Sequence, residues 1–342
     1  MSIRCQPMPL QLKQPFRISH SVFTKLDHLL LSIHARGVSA FGEVAPLPFF
    51  NENYAIAERQ ISYIIEHHSS AIIRIEDREQ LVAFVCTLSE GPYLKCVVCG
   101  FEMLLLDYVG KLLKKPAWSL LQVECPRPRE SAVTLPICER GAVGALTDIQ
   151  LPLVKLKLGG KDDLALLDYI RNEGNPGQKY IIDMNRGWTL EELATHRDRL
   201  AHESILFVEE PVAVSSIDIA RKIADLKLEV PVFLDESVTS EAELHRYLPF
   251  IDGVNIKIIK MGGLLKSLSL IDAVEGQLDL LLGCFLESSL SIAYAYQISA
   301  KFKYADLDGA SFIGNDHFSG LRFHDGQIGL PDDYYGLGVQ YV

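Results

Sequence analysis

From about residue 130 onward, short apolar runs alternate with longer amphipathic stretches. Eight strand-sized runs can be counted: AVTLPI, LVKLKL, KYIIDM, ILFVEE, PVFLDE, GVNIKI, LDLLLGCF and KYADLD. Between most of them lie segments such as TLEELATHRDRLAH, SEAELHRYL and LLKSLSLIDAVEG, whose apolar residues recur at helical spacing. Strand and helix in regular alternation predict a parallel (β/α)8-type barrel. The gap between the first two runs is short, so the first barrel helix is expected to be trimmed.

The first third of the chain reads differently. Residues 1–48 contain strand-sized runs (PFRISH, HLLLSIHARG, VSAFGEVAP) broken by Gly and Pro, followed by the aromatic, polar loop FFNENY. Residues 55–114 carry apolar positions at i, i+3 and i+4 and predict helices. Strands followed by helices without alternation predict an α+β unit apart from the barrel. The expected boundaries are 1–120 for this unit, 121–325 for the barrel, and 326–342 for a Gly- and Tyr-rich tail that returns to the first unit.

Five charged residues end successive apolar runs: Lys157, Asp183, Glu209, Asp235 and Lys257. The first three intervals are 26 residues and the last is 22, the length of one strand, loop, helix and return. Side chains at the carboxyl ends of barrel strands converge on one mouth, so three carboxylates flanked by two lysines are expected in one pocket. Asp183, Glu209 and Asp235 offer hard oxygen ligands of the kind Mg²⁺ prefers, one ion per site. No histidine ends any of the eight runs, which argues against zinc or non-haem iron. Lysines approaching from opposite sides suit removal of a proton from carbon beside a carboxylate and its return on the other face. Lys155 shares a strand face with Lys157 and is expected to lower its pKa, together with the metal.

The net charge of −11 disfavours nucleic acid or an anionic membrane as the main partner. No apolar run approaches membrane-spanning length, and the first residues lack the apolar core of a secretory signal. Seven irregularly spaced cysteines fit reduced thiols and a cytoplasmic location. Cys96 and Cys99 form a CxxC on an apolar helical segment without a second ligand pair, and are expected to be core thiols. A small-molecule substrate is expected, and a homo-oligomer stays open.

The segments VKLKLGG, DMN, VEEP, LDES and NIKIIKMGG resemble the enolase superfamily in its muconate-lactonising subgroup. That resemblance covers nearly the whole chain, including GEVAP and FFNENY, and implies an enolase-like barrel with an N-terminal capping domain. It implies Asp183, Glu209 and Asp235 as metal ligands, Lys157 and Lys257 as the catalytic pair, and Lys155 on the substrate. Asp306 and Asp308 in KYADLDG are similar to the DxD of dipeptide epimerases, where two carboxylates hold the substrate's α-ammonium. Cys284, Phe285 and Leu286, with Thr134, resemble that family's substrate-lining residues. The implied reaction is epimerisation of the C-terminal residue of a dipeptide by 1,1-proton transfer through a metal-stabilised enediolate. Relatives that act on L-Ala-D/L-Glu, a dipeptide of peptidoglycan recycling, carry a basic residue after the PF pair. Here the aligned position is Ser21, with Arg17 and Lys25 displaced, so the second residue stays open between Glu and another side chain. The alternative is an o-succinylbenzoate synthase or muconate cycloisomerase on the same scaffold, whose amine-free substrates gain nothing from the two aspartates.

Overall fold

The computed structural model describes residues 2–137 and 141–342. Three antiparallel strands open the chain: β1 (Ser2–Ile18), β2 (Ser21–Ala35) and β3 (Val38–Val44), paired in that order. Four helices follow, α1 (Tyr54–Arg74), α2 (Arg78–Glu90), α3 (Lys95–Leu113) and α4 (Ala117–Leu121). Every residue of α3 from Cys96 to Gly110 is buried, as its nearly continuous apolar sequence demands. Cys96 and Cys99 lie within this buried stretch as free thiols.

Helix α3 lies directly on the sheet because both surfaces are notched. A Cβ on Gly42 would stand 2.2 Å from the Gly100 carbonyl oxygen, and one on Gly100 would stand 2.3 Å from Val44 Cγ2. Gly42→Ala should therefore force helix and sheet apart and cost about 1–3 kcal/mol. Urea unfolding measures this, and a loss below about 0.5 kcal/mol would mean that the layers slide apart freely.

Strand β4 (Arg129–Glu130) leads into eight parallel strands: β5 (Val133–Leu135), β6 (Leu153–Lys157), β7 (Lys179–Asp183), β8 (Ile205–Glu209), β9 (Val232–Leu234), β10 (Gly253–Lys257), β11 (Asp279–Gly283) and β12 (Tyr304–Asp306). They pair in chain order, and the Ala132 N–H donates to the Ala305 carbonyl at 2.8 Å across the seam between the first and last. The intervening helices are α5 (Ala142–Thr147), α6 (Asp163–Glu173), α7 (Leu190–Leu200), α8 (Ile217–Asp225), α9 (Glu241–Tyr247), α10 (Ile258–Met261), α11 (Leu264–Ala273) and α12 (Ser289–Tyr296). At six residues, α5 is the trimmed first barrel helix. Thr189, Ser216 and Ser240 cap the starts of α7, α8 and α9.

Alternation along the strands builds the barrel interior in layers. Ala132, Leu153, Ile181, Phe207, Phe233 and Leu281 form an apolar plug, with the Phe207 and Phe233 rings stacked at 3.9 Å. Two residues beyond the first five of these, the same inward face carries Thr134, Lys155, Asp183, Glu209 and Asp235, and Asn255 of β10 joins them through Glu209. The plug thus supports a polar layer directly above it.

The three-stranded unit sits over that polar end. Lys95 of α3 donates to the Thr239 carbonyl at 2.5 Å and the Lys260 carbonyl at 3.2 Å, and Glu102 accepts from the Leu265 N–H at 3.0 Å. Past the barrel come β13 (Phe318–Ser319), β14 (Arg322–His324), β15 (Gln327–Gly329) and β16 (Gln340–Tyr341). Strand β15 pairs with β4, and the tail reaches α3, where the Leu337 N–H donates to Asp107 at 3.1 Å. Among the described residues no helix is long and apolar enough to cross a membrane.

Candidate active site at the mouth of the barrel

Lys157, Asp183 and Glu209 end strands β6, β7 and β8, Lys257 ends β10, and Asp235 follows β9 by one residue. Period and register bring all five to one end, as their spacing predicts. Asp183, Glu209 and Asp235 are fully buried. Lys157 lies 2.5 Å from Asp183, and Lys257 lies 2.7 Å from Asp235 on the other side of the site.

Lys155 is fully buried beneath the cavity and contacts Asp183 at 3.0 Å, Glu209 at 2.9 Å and Asp306 at 2.8 Å. Burial opposes its charge, but these carboxylates hold its pKa well above the usual lysine range. Burial alone would raise Asp183, yet Lys155 and Lys157 bring it down to about 2. Glu209 goes the other way, to about 8, through burial and the neighbouring charge of Asp183. Asp235 is driven below the carboxylate range by Lys257 and Lys260 against the pull of burial.

Several contributors escaped the sequence reading. Lys260 is 2% exposed and donates to Asp235 Oδ1 at 2.8 Å, fixing that side chain. Asn255 Nδ2 donates to Glu209 Oε1 at 2.8 Å, and Asn185 Nδ2 donates to Glu236 at 2.8 Å. Their signals were present as the second lysine of NIKIIK, its asparagine, and the residues beside Asp183 and Asp235.

Asp306 and Asp308 lie next to one another across the barrel seam from Thr134. The Thr134 N–H donates to Asp308 Oδ2 at 2.6 Å, and its hydroxyl donates to Asp308 Oδ1 at 3.2 Å and Asp306 Oδ1 at 3.4 Å. Burial first, then Asp306, pushes Asp308 up to about 7. Above the polar layer opens a cavity. Thr134, Lys157, Lys257, Cys284, Phe285, Leu286, Asp306 and Asp308 all line it. So do residues of the capping unit that sequence reasoning did not place there, among them Phe23, Leu26, His28 and the Phe49–Phe50 pair.

Asp183, Glu209 and Asp235 supply oxygen donors of the type that would suit one divalent cation. Asp183, Glu209, Asp235, Glu236, Asp306 and Asp308 are six carboxylates, against the four ammoniums of Lys155, Lys157, Lys257 and Lys260, so the cluster is formally −2. Glu209 Oε2 and Asp235 Oδ2 are buried without a directed hydrogen bond, although lysine ammoniums lie 2.9 and 2.7 Å away. The lysines stand among the acids, and among the described residues no three acidic, histidine or cysteine groups already close on one point.

Residues 142–342 match the family described as enolase C-terminal domain-like. The chain belongs to that family. An L-Ala-D/L-amino acid epimerase from Maribacter sp. is 27% identical, with 97% of each chain covered. An N-acetyl-D-glutamate racemase from a Pseudoalteromonas species is 30% identical, covering 84% of this chain and 88% of the other. A dipeptide epimerase from Enterococcus faecalis V583, complexed with Mg and a dipeptide, superposes with a TM-score of 0.88 at 20% identity, covering 99% of both chains. The protein is thus an enzyme of the enolase superfamily, of the racemase and epimerase class, with the expected enolase-like barrel and capping fold.

Proposed function

We propose that the protein is a Mg²⁺-dependent dipeptide epimerase that inverts the Cα of the C-terminal residue of an Ala-Xaa dipeptide. The observation that carries this reading is the placing of Lys157 and Lys257 on opposite sides of a buried carboxylate set, with Asp306 and Asp308 beyond. Asp183, Glu209 and Asp235 would hold the cation, which when bound anchors the substrate carboxylate and offsets the charge that builds there as the α-proton leaves. One lysine Nζ takes that proton, and the opposite lysine, still an ammonium, gives one to the other face. Asp306 and Asp308 accept hydrogen bonds from the substrate α-ammonium, with Thr134 fixing their orientation. Phe50 and Phe285, with ring centroids 6.2 Å apart, screen the reacting carbon from water.

Proton NMR of the Mg²⁺-loaded protein with dipeptides in D₂O tests this reading. The C-terminal α-proton signal should disappear as the second diastereomer grows. If the folded, Mg²⁺-loaded protein exchanges no dipeptide proton, the reading fails.

A further inference from the structure

Three substituents of the reacting carbon are already assigned by the epimerase reading, and this inference rests on it. The carboxylate faces the buried acids, the nitrogen leads to Asp306 and Asp308, and the proton moves on the axis between Lys157 and Lys257. The fourth substituent, the side chain of the C-terminal residue, is left to point away from the barrel floor, toward the capping unit. We propose that the wall it meets selects a bulky, uncharged side chain and rejects a carboxylate.

That wall is built from Ile18, Phe23, Leu26, Phe50 and Phe285, with His28 at its inner end. Phe23 faces Phe16 across the β1–β2 ladder, and Phe16 packs edge-on against Phe312 with ring centroids 4.8 Å apart, so this surface is fixed by packing. Basic residues of the same strands lie elsewhere. Arg17 is exposed between Phe16 and Ile18, which line the cavity, so strand alternation puts it on the opposite face. Lys25 is 61% exposed and lies 3.6 Å from Asp27. Ser21, at the start of β2, carries no charge.

His28 is the basic group of the capping strands that does reach the wall. Its Nδ1 lies 2.6 Å from the buried Glu43 carboxylate, which also accepts from the Ser288 hydroxyl. A charged His28 would therefore already be neutralised by a partner with no exposure. His20, at the rim, is held below the usual histidine range by partial burial and by Arg186. Lys157 and Lys257, beside Asp183 and Asp235, are assigned to the two faces of the reacting carbon and not to this wall. Among the described residues of this wall a substrate carboxylate would lose water without gaining a cation, whereas an aliphatic or aromatic side chain gains contact throughout.

The test compares kcat/KM for L-Ala-L-Leu, L-Ala-L-Phe and L-Ala-L-Glu, read as deuterium incorporation by the Mg²⁺-loaded protein. At least a 100-fold advantage of Leu and Phe over Glu is expected. Equal or better turnover of L-Ala-L-Glu overturns the proposal while leaving the epimerase reading intact. Absence of exchange from all three removes the epimerase reading and this inference with it. Leu26→Arg supplies the missing cation and should shift the Glu-to-Leu ratio at least tenfold toward Glu. An unchanged ratio in a variant with wild-type circular dichroism would show that the side chain docks elsewhere, and would also overturn it.

Discussion

Lys257→Ala should lower solvent exchange of the α-proton from one C-terminal epimer by about 10³-fold and leave exchange from the other within about tenfold of wild type. The first figure corresponds to about 4 kcal/mol of lost transition-state stabilisation. The asymmetry follows from placement: Lys157 ends β6 beside Asp183, whereas Lys257 ends β10 beside Asp235, so each reaches one face of a substrate lying between them. Removing one leaves the other able to strip its own face and, once its ammonium has exchanged with D₂O, to return a deuteron to that face. Lys257→Arg separates proton transfer from charge. An arginine keeps the positive charge but does not deprotonate at working pH, so it should be as slow as alanine on the affected epimer. Recovery with arginine would show that Lys257 acts as a fixed charge. Equal residual exchange from both epimers in Lys257→Ala would remove the two-base assignment. In the free protein burial lowers the Lys257 pKa, but Asp235 at 2.7 Å outweighs it and holds the ammonium above its usual range. This lysine is therefore poised first as a proton donor, and it becomes a base as positive charge reaches Asp235.

The barrel and its charged mouth were legible because they are periodic. One βα unit consumes a near-constant number of residues, so strand-end side chains announce themselves by interval, and residues two apart share a face. That logic found Lys155 beside Lys157 but missed what Lys155 touches, because its partners lie on β7, β8 and β12. Lys260 escaped for a related reason. It lies past the strand on the one-turn helix α10, where the chain curls back and returns the ammonium to Asp235. Strand β1 begins at Ser2, well ahead of the PFRISH run. Pro7 and Pro9 interrupt its pattern, and an edge strand tolerates prolines that a central strand does not. The capping wall of the cavity was the least legible part. FFNENY is visibly an aromatic loop, but only the folded chain brings Phe50 to Phe285 and the Glu43 carboxylate to Ser288. Contacts across more than 200 residues leave no local trace in the sequence.

L-Ala-L-Leu should be turned over at least 100-fold faster, in kcat/KM, than N-propionyl-L-Leu, which differs from it by the α-ammonium alone. This comparison separates a dipeptide epimerase from a racemase of N-acylated amino acids. A buried, charge-assisted pair contributes about 2–5 kcal/mol when its partner is removed, enough for that ratio. Asp306→Asn with Asp308→Asn should erase the preference by slowing the dipeptide, since two amides cannot compensate an ammonium. The pH dependence gives a second readout. Burial and Asp306 raise Asp308 to about 7, so below that pH its protonated form prevails in the free protein. Only the ionised form suits an ammonium, so dipeptide affinity should rise as pH increases through about 7 and fall again above about 8, where the substrate's own ammonium deprotonates. The N-propionyl compound should lack this rise because it offers no cation. If both compounds bind and turn over alike at every pH, Asp306 and Asp308 do not read an amine, and the enzyme acts on acylated amino acids instead.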